Sequence, residues 1–174
     1  MFLNMFKKQN FEERPAGKVP YIILLHYTGM PTAQEAMDRL SDPKSKVSAH
    51  YLIDDTGTVF ELVEEDKRAW HAGVSYWQRE QDINSVSIGV EIVNPGHEFG
   101  YRSFPDEQMY AVSCLCQEIQ ARHDIKYVLG HSDVAPERKT DPGELFSWEY
   151  LASKGVGIWP YVTDEDSQQA KELA

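Results

Sequence analysis

The sequence predicts a single α/β domain, and three segments carry that prediction: two apolar runs of strand formers, residues 19–26 (VPYIILLH) and 86–93 (VSIGVEIV), and an amphipathic stretch at residues 105–123. A short continuous apolar run suits a strand buried on both faces. Alternation around Glu91 makes the second run a central strand. Met109, Val112, Leu115, Cys116 and Ile119 recur at helical spacing, which gives the long helix an apolar face to lay over the sheet. The 174 residues, 41% hydrophobic and 26% charged, suffice for one domain with a sizeable core.

In chain order, residues 1–18 read as an N-terminal extension, 19–160 as the domain and 161–174 as an acidic polar tail. The first strand delivers His26 at its end. Thr32 followed three residues later by Glu35 is a capping-box pattern that opens a helix running to Leu40, and SDPKSK is then a loop. Residues 49–54 and 58–63 flank DDTG, whose Asp and Gly suit a tight turn, so they form a hairpin. Residues 66–77 show no clean period, and WHAGVSYW at 70–77 reads as an aromatic-rich surface loop. Pro95, Gly96 and Gly100 break the chain after the central strand, residues 127–130 form a short strand ending at His131, and Ser147 caps a last short helix.

A net charge of −11 and a pI near 4.9 argue against nucleic acid or an anionic membrane as the main partner, since both repel an acidic surface. Cys114 and Cys116 point to opposite sides of a helix, so they pack as small apolar residues and form no disulfide with each other. No run reaches transmembrane length and the first residues lack the apolar core of an export signal. As written the chain reads as cytoplasmic, or as periplasmic if an export signal preceded the first residue.

The chemistry gathers in residues 130–148 (GHSDVAPERKTDPGELFSW). His131 and Asp141 offer an imidazole and a carboxylate around a loop stiffened by Pro136 and Pro142 and turned at Gly143. With His26 they make a donor set that suits one Zn²⁺ per chain with a fourth position left for water. Glu91, a carboxylate in an otherwise apolar strand, is then the proton carrier, because an unpartnered buried carboxylate needs a role that accounts for its cost.

Five ordered motifs, HYT at 26–28, SAHYLID at 48–54, WHAG at 70–73, NSVSIGVEI at 84–92 and GHSDVAPERKTDPG at 130–143, together resemble the zinc-dependent N-acetylmuramoyl-L-alanine amidases of the type-2 amidase family. LASKGVGIWP at 151–160 is similar to the AmiD-like branch more than to the AmpD-like one. The resemblance implies a mixed central sheet flanked by helices, with a zinc groove at the sheet edge. It implies His26, His131 and Asp141 as ligands, Glu91 as catalytic carboxylate and Lys139 as the partner of the developing oxyanion. The implied substrate is peptidoglycan or a muropeptide, cut between N-acetylmuramic acid and L-alanine in wall turnover or recycling. The alternative on the same fold is a non-catalytic peptidoglycan-binding or regulatory module.

Arg138, beside Lys139, is a candidate contact for a substrate carboxylate, and Trp70 and His71 in WHAG are candidate groove contacts. One position departs from the family pattern. Where an arginine tends to precede the NxxSIGxE motif by two residues, this chain has Asp82, which is expected to repel a stem-peptide carboxylate unless Arg79 substitutes for it.

Overall fold

The computed structural model describes residues 10–160, so the expected tail and the first nine residues of the expected extension lie outside the described residues. The elements are β1 (Phe11–Glu13), β2 (Ile22–Tyr27), α1 (Ala33–Ser41), β3 (Tyr51–Ile53), β4 (Val59–Glu61), β5 (Lys67–Ala69), β6 (Ser87–Ile92), α2 (Gly96–Phe99), α3 (Asp106–Arg122), β7 (Tyr127–Gly130), α4 (His131–Val134) and α5 (Trp148–Ser153). Five strands form one mixed sheet in the order β4-β3-β6-β2-β7, parallel except for the antiparallel β3–β4 hairpin. No helix among the described residues is long and apolar enough to cross a membrane.

The two central strands sort their side chains as the sequence alternation requires. Ile23 and Leu25 of β2, with Ile88, Val90 and Ile92 of β6, pack with Met109, Val112, Leu115, Cys116 and Ile119 of α3 in the main core. On the opposite face Ile22 and Leu24 join a smaller cluster, and the same face then carries His26. The first strand starts at Ile22, three residues later than expected: Val19 is 67% exposed, and the paired register with β6 and β7 begins at Ile22. Helix α1 is capped as predicted, with the Thr32 hydroxyl oxygen accepting the Glu35 backbone N–H at 3.2 Å.

The pairing adds two short strands. Residues 11–13, read as part of an extension, and residues 67–69, within the stretch without a clean period, form a small antiparallel sheet with Phe11 opposite Ala69. Three-residue strands are too short to show a period in sequence. Just beyond β1, the Arg14 guanidinium donates to the carbonyls of Asn84 (3.0 Å), Ser87 (2.9 Å) and Glu65 (3.0 Å). Residues 10–14 are thus built onto the domain, with Asn10 buried against the carbonyls of Asp42 and Val47.

Away from the site, Glu65 gathers hydrogen bonds from Tyr51 (2.8 Å), Arg122 (2.7 Å) and His123 (2.6 Å). His123 is therefore engaged. Burial alone would raise the Glu65 carboxyl, but the Arg122, His123 and Tyr51 hydrogen bonds outweigh it and hold it at about 2. A carboxylate depressed in this way stabilises the fold above its ordinary pKa of 4.5, and the gain is lost as pH falls toward 2. Glu65→Gln is expected to lower stability by about 2 kcal/mol at pH 7, the scale of losing hydrogen bonds to a charged group. Urea unfolding should show that gap closing on acidification from about pH 5 toward 2, and equal midpoints at pH 7 would remove Glu65 from the stability account.

Candidate metal and catalytic site

Parallel pairing sets the site. In register, His26 at the end of β2 lies beside Glu91 of β6, so the two side chains share a face. Strand β7 runs on the other side of β2 and hands over directly to α4, whose first residue is His131. Asp141 returns on the loop after α4, where its carbonyl accepts the Ser132 N–H at 2.9 Å. Gly143 turns that loop at φ +85, and a Cβ there would stand 2.3 Å from the Tyr101 hydroxyl, which donates to Pro142 O and accepts from Leu145 N. Only glycine allows Tyr101 to pin the loop in this way.

His26, His131 and Asp141 are 2%, 3% and 5% exposed, a level at which every polar atom needs a partner. His26 Nδ1 and His131 Nδ1 are 2.9 Å apart, and each lies 3.1 Å from Asp141 Oδ2. The outer nitrogens are occupied. His131 Nε2 meets the Ala72 carbonyl at 2.9 Å, so it carries the proton and its Nδ1 is bare. Ser87 gives its hydroxyl proton to Ile83 O at 2.6 Å and accepts from His71 Nε2 at 3.3 Å. His71 Nδ1 is then bare and accepts from His26 Nε2 at 3.1 Å, which leaves His26 Nδ1 bare as well.

Two imidazole lone pairs and a carboxylate thus face one point with no proton between them. Burial pushes the His26 imidazole down to about 4, which keeps it neutral as a ligand must be. The three donor atoms form a group that could hold a metal ion, and two nitrogens with one carboxylate oxygen fit zinc.

Glu91 stands next to this group with its Oε2 buried and without a hydrogen-bond partner. Burial, then the charge of Asp141, push its carboxyl up to about 8, against the opposing charges of Lys139 and Arg39. Glu91, Lys139, Arg138, Trp70 and His71 all line the same open groove of about 810 Å³ as the three ligand candidates, a volume in the range that accommodates small-molecule ligands. Arg138 is half committed, donating to Ala72 O (2.8 Å) and Val74 O (2.7 Å). His71 serves as an orienting partner of His26 while touching the groove, and Trp70 is held by the Ser48 hydroxyl on its N–H and by Glu12 on its indole.

The motifs explain one another. Asn84 Oδ1 accepts the N–H groups of His71 (3.0 Å) and Ala72 (2.8 Å), fixing WHAG to the start of β6. His50 Nδ1 accepts the Gly89 N–H at 2.9 Å, and the missing side chain of Gly89 makes room for the His71 ring. Position 82 does not behave as the sequence suggested. Asp82 pairs with Arg68 at 2.7 Å and accepts from Ser85 at 2.6 Å, so its charge is absorbed within the fold and it does not line the groove. Arg79 is exposed at φ +78 in the turn closed by Trp77 and Glu80, also outside the groove lining. The groove cation that sequence reasoning missed is Arg39, on the wall made by α1. Its only signal was its position four residues after Glu35, beside the buried stripe of Ala36 and Leu40.

The model of the N-acetylmuramoyl-L-alanine amidase family matches residues 16–144. The chain belongs to that family. Among relatives, it is 36% identical over 153 residues to N-acetylmuramoyl-L-alanine amidase AmiD of Escherichia coli (strain K12), covering 80% of this chain and 54% of that protein. It is 31% identical over 165 residues to 1,6-anhydro-N-acetylmuramyl-L-alanine amidase AmpD of Haemophilus influenzae, covering 83% of this chain and 88% of that protein. The chain therefore spans about half the length of the AmiD relative and most of the AmpD one. The solved complex of Escherichia coli AmiD with anhydro-N-acetylmuramic acid-L-Ala-D-gamma-Glu-L-Lys superposes with a TM-score of 0.74 at 34% identity, covering 86% of this chain and 63% of that one. The mixed sheet flanked by helices is that of this amidase family.

Proposed function

We propose that this chain is a zinc-dependent N-acetylmuramoyl-L-alanine amidase that hydrolyses the amide between the lactyl group of N-acetylmuramic acid and L-alanine in peptidoglycan or muropeptides, in wall turnover or recycling. The observation that carries the reading is the trio of bare donor atoms on His26, His131 and Asp141 beside the unpartnered carboxyl of Glu91. Family membership and the amidases among its relatives support the same chemistry.

His26, His131 and Asp141 would hold the ion, with His71 and the Ala72 carbonyl keeping both imidazoles in the ligating tautomer. When bound, zinc would supply an acidified water, of pKa about 7, and Lewis acidity toward the carbonyl. Glu91 takes the proton of the attacking water and returns it to the L-alanine nitrogen, so that the leaving group departs as a neutral amine. A carboxyl already pushed up by burial is suited to hold that proton between the two transfers. Lys139 presents its ammonium to the carbonyl oxygen as negative charge develops there.

Metal analysis of the purified chain is expected to give about one zinc per chain, and His131→Ala or chelation to remove metal and activity together. Activity is read by mass spectrometry as release of free stem peptide from anhydromuramoyl-L-Ala-γ-D-Glu-L-Lys. Release of stem peptide by metal-free protein would overturn the reading.

A further inference from the structure

We propose that Arg39, on the α1 wall of the groove, anchors a carboxylate of the substrate's peptide across from Lys139. The inference rests on the amidase reading above and adds to it the group that selects an acidic peptide. In a chain of net charge −11, an anionic substrate meets general repulsion, so its carboxylates need a local cation. The cationic side chains lining the groove around the ligand trio are Arg39, Arg138 and Lys139. Arg138 already donates to two backbone carbonyls, and Lys139 is assigned to the reacting carbonyl. Arg39 forms no ion pair within 4.0 Å and no side-chain hydrogen bond among the described residues, although Glu35 lies one turn away on the same helix. An exposed guanidinium without a partner presents a planar fork of donors that matches a carboxylate.

Position supports the role. Ala36 and Leu40 bury the inner stripe of α1, which leaves Glu35 and Arg39 on the flank that forms the groove wall. Arg39 and Glu91 line the same groove as the ligand trio, so a ligand carboxylate held at Arg39 lies along that groove from the bond being cut. The ligand bound by the AmiD relative contains such a group, because a γ-linked glutamate one residue beyond L-alanine keeps its α-carboxylate free. Glu35 on the same wall disfavours an anion placed nearer the N-terminal end of α1, which narrows the productive position to the Arg39 side. Arg68, the other arginine near this surface, is neutralised by Asp82 and Glu12.

The test compares two substrates on the zinc-loaded chain: anhydromuramoyl-L-Ala-γ-D-Glu-L-Lys and the same peptide with the glutamate α-carboxylate replaced by carboxamide. Arg39→Ala is expected to raise KM for the carboxylate peptide about tenfold to a hundredfold, the scale of a charge-assisted hydrogen bond, with a much smaller change for the carboxamide and a kcat within about threefold. Arg39→Lys should recover part of the loss, and the wild-type preference should weaken with added salt. Equal KM changes on both peptides, no change on either, or a fall confined to kcat with a shifted pH profile would overturn the proposal, the last by showing that Arg39 acts through Glu91. Calorimetric binding of both peptides to the wild type and Arg39→Ala separates the two levels. If the wild type cleaves neither peptide, the amidase reading fails, while the binding difference still decides for or against Arg39.

Discussion

Glu91→Gln is expected to lower kcat by at least roughly 10²-fold, the usual contribution of a positioned acid or base, while zinc content stays the same. The substitution preserves shape and removes only the ability to accept and return a proton. Glu91 does not belong to the trio that holds the ion, so metal analysis should not change. The same substitution should leave thermal stability unchanged or slightly raised. Its Oε2 is buried with no partner, and exchanging a half-buried carboxyl for a neutral amide relieves part of the desolvation cost. A variant that is as stable as the wild type and nearly inactive is the signature of a group kept for chemistry at the expense of the fold. Turnover near that of the wild type would return Glu91 to a structural role.

Gly89→Ala is expected to cost nearly as much activity by a different route. The glycine backbone lies within strand β6 and tolerates a methyl group by its own conformation, since it is not among the positive-φ glycines. The obstacle is the His71 ring, whose Cγ, Cδ2 and Nδ1 would lie 2.5, 2.6 and 2.6 Å from the new Cβ. That ring is boxed in by His26 and His50, with ring centroids 5.2 and 5.6 Å away, so it cannot yield without disturbing His26. Losing the 3.1 Å contact between His71 Nδ1 and His26 Nε2 frees the His26 ring to turn and to change tautomer. Zinc affinity should fall about 10-fold to 100-fold, as for loss of an orienting partner behind a metal ligand, with overpacking adding about 1–3 kcal/mol of destabilisation. Titration with a competing chelator measures the first effect and urea unfolding the second. If Gly89→Ala binds zinc as tightly as the wild type, the His71 relay is not what fixes His26.

These two residues also show what the sequence could carry and what it could not. The runs around His26 and Glu91 were legible because buried central strands leave a composition and alternation that local reading detects. That β2 and β6 are neighbours in a register placing His26 beside Glu91 is a long-range fact, with no local trace beyond the ordered motifs. The small sheet of β1 and β5 left no signal because three residues cannot establish a period. At Asp82 the local reading was misled: a reversed charge looked like a changed contact with substrate, whereas Arg68, fourteen residues earlier, absorbs it. Arg39 was missed for the opposite reason, since an arginine on an exposed helix flank looks like any solvated side chain until the groove beside it is known.

Arg14 changes where this protein can be cut. The family match begins at residue 16, so a fragment trimmed to that boundary would keep every motif and discard the guanidinium that closes off the carbonyls of Asn84 and Ser87. Those carbonyls belong to the segment that fixes WHAG and opens β6, and Asn84 and Ser87 also hold the backbone and ring of His71. The cut would leave two acceptors unmatched directly behind the ligand-orienting histidine and unzip β1 from β5 in the same stroke. For shuffling, fusion or minimisation of this domain, a fragment should therefore keep residues 10–14, ahead of the boundary that family likeness alone would draw.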